Sequence, residues 1–212
     1  MLKSVLFIFL ISSTSLFGQR YCTNDIVKKA DSIMISAVGQ SVFNDHFQLD
    51  STSYCKTRTT FNDEITYLTR TKSTNGKIKL IAVRYTFYLN KFEQPSVSTS
   101  VIFDKDLNLK QPLDTAFIPK FILQQTASDF LTKEDVVKIA SDNFVKKGIK
   151  PIESFLTYDP NKKSYLWTVT NTLSEWIGNN NEVIRQVELL EINAITGEVV
   201  NFYPNALQAP TH

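Results

Sequence analysis

The chain has 212 residues, of which 42% are hydrophobic and 21% charged, with 6 Gly, 7 Pro and 2 Cys. This composition is typical of a globular protein and excludes collagen-like, low-complexity and disulfide-dense chains. The 23 basic and 21 acidic side chains give a formal charge of +2, so no charge pattern favours nucleic acid or an anionic membrane surface.

The first segment of the chain is apolar and follows one basic residue. Lys3 precedes an apolar run over residues 5–11, and small residues then lead to Gly18. This order is typical of a secretory signal peptide, so we predict that residues 1–18 are removed and that the mature protein is secreted or periplasmic. The alternative is an uncleaved anchor helix, but the apolar run is much shorter than the roughly 20 residues that span a bilayer. No stable membrane insertion is expected after cleavage.

Cys22 and Cys55 are the two cysteines of the chain. The residues Gln19, Arg20 and Tyr21 before Cys22 do not fit a lipidation site, so no lipoprotein is predicted. In an oxidising compartment two cysteines favour one disulfide between Cys22 and Cys55, with two free thiols as the alternative. No metal-ligand spacing accompanies them, and we predict neither a metal site nor a cofactor.

Two amphipathic helices are predicted, over residues 25–38 and 133–147. Thr132 and Asp135 resemble a capping box at the start of the second helix. The first helix is followed by strands over residues 51–60, 65–72, 85–89 and 97–103 and by a turn and short strand over 104–109. The second is followed by a strand over 165–169, a polar connection over 171–181, a strand over 183–192 and a closing turn and strand over 193–199.

The two halves of the chain repeat the same order of elements. The helix segments 25–30 and 135–140 agree at four of six positions, and a strand, a strand, a turn and a strand follow in both halves. We therefore predict an α+β fold of two tandem units, each a helix packed on an antiparallel sheet. The first unit spans residues 19–114, a linker 115–130, the second unit 131–206 and a C-terminal tail 207–212.

The second unit resembles the PepSY domain family. The resemblance rests on the helix that begins at Leu131-Thr-Lys-Glu-Asp, the strand Tyr165-Leu-Trp-Thr-Val and the closing Asn193-Ala-Ile-Thr-Gly-Glu-Val, and it is clearest over residues 131–203. Residues 23–112 resemble the family through their likeness to the second unit. Asn193 stands where the family usually has Asp. The resemblance implies an extracytoplasmic module of the kind found in protease propeptides, proposed to modulate peptidases, with no catalytic residues.

Candidate catalytic residues are few. The mature chain contains only His46 and the terminal His212 as histidines, and it has no nucleophile elbow, zinc-protease or phosphate-loop motif. Asp104-Lys-Asp-Leu-Asn imitates the start of a calcium loop but lacks its glycine and its final glutamate, so a plain turn is expected. Four carboxylates, Glu175, Glu182, Glu188 and Glu191, show no spacing that selects a catalytic pair. We therefore predict that the protein is not an enzyme.

Trp176 is the candidate contact residue. It lies in a segment rich in Ser, Glu and Asn, where a large apolar ring has no evident core, and exposed Trp side chains often anchor interfaces. The alternative is a ring that folds back onto the sheet edge. The leading hypothesis is a non-enzymatic binding module for an unknown protein, with a peptidase as one class of partner. The alternatives are a structural envelope protein without a discrete ligand, and a small-ligand carrier or enzyme with a pocket on a curved sheet.

Overall fold

The computed structural model describes residues 20–58, 62–74, 76–90, 96–178 and 181–209. Within these ranges the chain forms four α-helices and three antiparallel sheets, which confirms the predicted α+β class. The predicted signal peptide lies outside the described residues, as does His212. In the described ranges no helix combines the length and the apolar character needed to cross a membrane.

Helix α1 (Thr23–Val38) begins two residues before the predicted start and ends where predicted. Its apolar side chains recur every four residues, and Ile26, Ala30 and Met34 have no exposed surface. After Gly39 the chain forms the shorter helix α2 (Gln40–His46). The first helix thus presents one continuous apolar face to the sheet beneath it.

The first large sheet has five strands and is built around its longest strand. The strands are β2 (Phe47–Leu49), β3 (Tyr54–Arg58), β4 (Asp63–Tyr67), β6 (Lys77–Tyr88) and β7 (Ser96–Phe103), while β1 (Tyr21–Cys22) and β5 (Ser73–Thr74) form a separate pair. β6 pairs with β7 on one side and with β2 and β3 on the other, and β4 lies at the margin beside β3. The strand predicted over 65–72 ends at Tyr67, the last residue of β4. The chain then forms a 3-10 helix that begins at Leu68, whose side chain is buried.

Tyr85 fixes the first helix to the first sheet. Its ring is buried, and its hydroxyl donates a hydrogen bond of 2.6 Å to the Asp31 carboxylate of α1. Burial raises the pKa of the Tyr85 hydroxyl, and the nearby Asp31 raises this pKa further. The phenol therefore remains a proton donor in this contact.

The second large sheet is a four-stranded meander. It follows α3 (Lys120–Gln124) and α4 (Lys133–Asn143), and its strands are β8 (Glu153–Asp159), β9 (Ser164–Ile177), β10 (Val183–Asn193) and β11 (Val199–Gln208), paired in that order. α4 begins at the predicted capping box, in which the Asp135 N–H donates to the Thr132 hydroxyl. Val136 and Ala140 of α4 are fully buried against Val169, Leu190 and Ile192 of the sheet.

Three sequence predictions for the second half need correction. α4 ends at Asn143 rather than at residue 147, because the backbone N–H groups of Val145 and Lys146 donate to the Glu188 carboxylate instead of continuing the helix. β8 was not predicted. β9 continues to Ile177 through the predicted polar connection, because its polar side chains find partners across the sheet on β10.

The segment 115–130, predicted as a linker, packs between the two sheets. Phe117, Ile118 and Ile122 of this segment are buried in the core of the first sheet. The Tyr165 hydroxyl of β9 donates a buried hydrogen bond of 3.0 Å to the Phe117 carbonyl oxygen. The ring of Phe117 also lies 6.4 Å from the ring of Tyr158 in β8. This segment therefore contacts the core of the first sheet and the strands β8 and β9 of the second sheet.

Candidate functional site

Trp176 lies on β9 and not in a loop. Its backbone pairs with that of Ile184 on β10, so the two side chains share one face of the hairpin. The Trp176 side chain is 42% exposed and belongs to neither of the two hydrophobic cores. The strand therefore holds this ring in a fixed direction at the sheet surface.

The last two residue pairs of the β9–β10 hairpin are apolar, one pair on each face. Next to Trp176 and Ile184 lies the pair Ile177 and Val183, which points to the opposite face and is 73% and 42% exposed, respectively. We call these four residues the hairpin-end patch. Leu207 of β11 is 70% exposed and pairs with Gln186, two residues along β10 from Ile184. It therefore extends the face that carries Trp176.

Charged side chains below the hairpin-end patch neutralise one another. The Glu175 carboxylate accepts hydrogen bonds of 2.6 Å from Lys150 and 2.8 Å from Arg185, and Arg185 also lies 3.5 Å from Glu153. The hydrogen bond from Lys150 is the main reason why the pKa of Glu175 lies below its usual value, and Arg185 lowers this pKa further. The stem of the hairpin is thus held by ion pairs, while its end carries the apolar side chains.

Glu188 was one of four carboxylates considered from the sequence. In the structure it is buried and holds the loop after α4 through hydrogen bonds. Its side chain has no exposed surface and accepts hydrogen bonds from the Asn171 amide at 3.0 Å and from two backbone N–H groups of the loop after α4 at 3.3 Å. Asn171 also donates to the Lys146 carbonyl oxygen. Sequence reasoning missed this cluster, although a Glu inside an apolar strand is an unusual residue that could have signalled it.

The other carboxylates stand apart from one another. Glu191 contacts Asn201 and Lys162. Glu175 lies on β9 opposite Arg185 of β10. Arg185 is six residues from Glu191 along β10, a distance of about 20 Å. Glu188 and Glu191 have odd spacing on β10 and point to opposite faces. A glycosidase pair requires a separation of about 5–9.5 Å, so Glu175 and Glu191 do not form one.

Cys22 and Cys55 are both free thiols in the structure. Cys22 is exposed at the start of α1, whereas Cys55 is fully buried on β3. Burial raises the pKa of the Cys55 thiol to about 11, and the neighbouring Thr74 hydroxyl offsets part of that rise. The disulfide between Cys22 and Cys55 stays a prediction from the sequence.

His46 ends α2 and is anchored to the first sheet. Its Nδ1 lies 2.9 Å from the Tyr88 carbonyl oxygen, and because a carbonyl only accepts, this nitrogen carries the proton. The imidazole also stacks on the ring of Phe87, with 5.7 Å between centroids. In the described ranges no serine or cysteine side chain hydrogen-bonds to His46, so the structure assigns it an anchoring contact.

The segment that imitates a calcium loop forms a turn. The Asp104 carboxylate accepts hydrogen bonds from the backbone N–H groups of Asp106 and Asn108. The Asn108 N–H is the main reason why the pKa of Asp104 is lowered. Across the residues that the structure describes, no three potential metal ligands come together.

Neither a scan against protein-family models nor a search of the curated proteins finds a match for this chain.

Proposed function

We propose that this protein is an extracytoplasmic, non-enzymatic binding module that holds a protein partner on the hairpin-end patch. The observation that carries the proposal is the exposure of Trp176 at 42% on one face of the hairpin and of Ile177 at 73% on the other face. Clustered exposed apolar side chains on soluble proteins often mark interaction sites, and Trp is enriched among the residues that dominate binding energy. The ion pairs at the hairpin stem would keep the patch in place before the partner arrives.

We further propose that the chain consists of two PepSY-like units. The equivalent helix positions Ile26 and Val136 are both fully buried, as are Ala30 and Ala140 four residues later. A turn follows β7 in the first half and β10 in the second half. The first residue of each turn, Asp104 or Asn193, accepts hydrogen bonds from two backbone N–H groups of that turn. These shared features support a duplication, and the family resemblance suggests a peptidase as the partner.

Secretion is part of the same proposal and has its own test. We expect the protein recovered from the periplasm or the culture medium of its host to begin at Gln19 by N-terminal sequencing. A protein that retains residues 1–18 and sediments with membranes would support the anchor helix instead.

Quantitative affinity capture tests the binding proposal. The bait is a tagged chain of residues 19–212, compared with the variants Trp176→Ser and Ile65→Ser. Ile65 is a matched control because it is 54% exposed on β4 of the other sheet. We expect one dominant partner with the unmodified chain and with Ile65→Ser, and its loss with Trp176→Ser.

A peptidase recovered in this way should lose activity in proportion to the amount of added chain. Recovery of the same proteins by Trp176→Ser would overturn the role of the patch. Recovery of nothing above background by a folded bait would overturn the tight-binding proposal and favour a structural envelope protein.

A further inference from the structure

A cleft of about 330 Å³ lies where the segment 115–130 meets the β8–β9 hairpin. Its walls are aromatic: the rings of Tyr158 and Tyr165 lie 5.1 Å apart, those of Phe130 and Tyr165 also 5.1 Å, and those of Phe117 and Tyr158 6.4 Å. These rings touch one another in tilted or edge-on arrangements and form one continuous surface. A volume of this size lies at the small end of ligand pockets, which often form where two halves of a protein meet.

The hydroxyl groups of Tyr158 and Tyr165 differ in the hydrogen bonds that they make. The Tyr165 hydroxyl donates its proton to the Phe117 carbonyl oxygen, so Tyr165 has no hydroxyl proton left to donate to a ligand. The Tyr158 hydroxyl makes no hydrogen bond among the described residues. Partial burial raises the pKa of Tyr158, and the nearby Asp114 and Asp159 raise it further, so this hydroxyl stays protonated and can donate to a ligand.

Three charged side chains, Lys120, Asp129 and Lys163, stand at the rim of the cleft. All three are exposed, and none makes an ion pair or a hydrogen bond within the described part of the chain. Lys162, next to Lys163, differs because it lies 3.9 Å from Asp159 and 3.5 Å from Glu191. The three charged side chains that line the cleft thus carry a net charge of +1. Asp114 and Asp159, which are near Tyr158, do not line the cleft, and the Asp159 carboxylate is paired with Lys162. Ammonium groups without a protein partner are available to an anionic ligand.

We propose that this cleft binds a small aromatic carboxylate, with the ligand ring against the aromatic wall and its carboxylate held by Lys120 and Lys163. Aromatic rings gain from offset and edge-on contacts with other rings, which the wall provides. The charge at the rim selects an anion over a neutral ring, and Asp129 weakens that selection because it repels the carboxylate. This site is separate from the hairpin-end patch and does not depend on the proposed protein partner.

Isothermal titration of the mature chain with benzoate, phenylacetate and indole-3-acetate tests the proposal. We expect at least one acid to saturate a single site with a Kd below about 1 mM, as its few heavy atoms allow. The matching uncharged amide should bind about tenfold more weakly, since it loses the charge-assisted contacts. Ala116→Trp, which places a large ring at an exposed position of the cleft wall, should abolish binding.

Charge variants identify the groups that hold the carboxylate. The double variant Lys120→Met/Lys163→Met should weaken binding about tenfold or more, and Asp129→Asn should strengthen it several-fold. Lys28→Met is the matched control and should leave the affinity unchanged, because Lys28 is an exposed lysine of α1 that lies outside the cleft. Circular dichroism verifies that each variant is folded.

Failure of all three acids to saturate a site at millimolar concentration would overturn the proposal. Equal affinity for acid and amide, or binding that Ala116→Trp leaves intact, would do the same.

Discussion

Glu188 is a buried carboxylate that is stabilised by hydrogen bonds and has no basic partner among the residues that the structure describes. The Asn171 amide and the N–H groups of Val145 and Lys146 supply its donors, and they come from a neighbouring strand and from the loop after α4. A buried polar group costs little when its hydrogen bonds are made and much when they are lost. Glu188 therefore fixes where α4 ends and holds the following loop against the sheet.

Replacement of Glu188 by Ala should destabilise the protein strongly. The change leaves two backbone N–H groups and one N–H of the Asn171 amide without their acceptor in a buried site, so we expect the free energy of unfolding to fall by about 2–4 kcal/mol. Urea unfolding followed by circular dichroism measures this change. Glu64→Ala is the control, because Glu64 is exposed on β4 and should shift stability by less than about 0.5 kcal/mol. Equal effects of the two variants would contradict a structural role for Glu188.

The two cysteines should differ in reactivity. Cys22 is exposed, whereas Cys55 is buried and its thiol has a pKa raised to about 11. We expect a thiol reagent at mildly alkaline pH to modify Cys22 alone in the native protein and both cysteines after unfolding in urea. In a Cys22→Ser variant, modification should therefore require unfolding. Protein prepared without reductant in which neither cysteine reacts after unfolding would instead contain the disulfide predicted from the sequence.

At the scale of elements, helix α4 depends on its capping box. The Thr132 hydroxyl accepts from the Asp135 N–H, and the Asp135 carboxylate accepts from the Thr132 N–H and hydroxyl. The Thr132 hydroxyl is the main reason why the pKa of Asp135 is lowered. These contacts satisfy N–H groups at the helix start that have no partner within the helix.

Loss of the cap should cost measurable stability. We expect Thr132→Ala to lower the free energy of unfolding by about 1 kcal/mol, measured by thermal or urea unfolding. Ser141→Ala in the last turn of the same helix is the control and should raise stability by a few tenths of a kcal/mol, because Ala is the better helix former. If Thr132→Ala were neutral, α4 would be held by its packing on the sheet alone.

The elements that the sequence predicted well are those fixed by local signals. α1 ends at Gly39 and α4 begins at its capping box, and each helix carries a periodic apolar face. Each of these signals lies within a few neighbouring residues of the sequence. The extension of β9 to Trp176 was missed because the polar residues that suggested a loop satisfy their side chains across the sheet. Ser174, for example, bonds to Gln186, which is 12 positions later in the chain. The residue pattern of the segment around Ser174 does not show a partner that lies on the next strand.

The candidate sites also divide into those that a local sequence signal indicates and those that depend on residues far apart in the chain. Trp176 stood out because a large ring in a polar segment is visible in the sequence. The cleft did not, because Phe117 and Phe130 lie in a segment that was interpreted as a linker, and their partners Tyr158 and Tyr165 lie on another hairpin. Only the fold brings these four rings together.

At the scale of the whole molecule, the segment 115–130 joins the two sheets through buried contacts. Phe117 lies 5.4 Å from the ring of Phe87 in the first sheet and 6.4 Å from that of Tyr158 in the second. Its carbonyl oxygen also accepts the buried hydrogen bond from Tyr165. Because one side chain packs in both halves, unfolding of the first sheet exposes part of the second. We therefore expect the two halves to unfold together.

Two core truncations test this coupling. Phe117→Ala removes a ring at the junction, and Ile26→Ala removes a side chain of the first core. Each should destabilise its surroundings by about 2–5 kcal/mol. The two tryptophans, Trp167 and Trp176, both lie on β9, so their fluorescence reports on the second sheet alone. We expect both variants to shift the fluorescence transition to lower urea concentration, in step with the loss of circular dichroism.

Independent halves would behave differently in the same measurement. Ile26→Ala would then leave the fluorescence transition at the wild-type urea concentration while circular dichroism showed an earlier loss of the first half. Val136→Ala, in the buried face of α4, is the positive control, because it truncates the second core directly and should move the fluorescence transition in either case. A shift with Val136→Ala but none with Ile26→Ala would mean that the contacts of Phe117 are too weak to couple the two sheets.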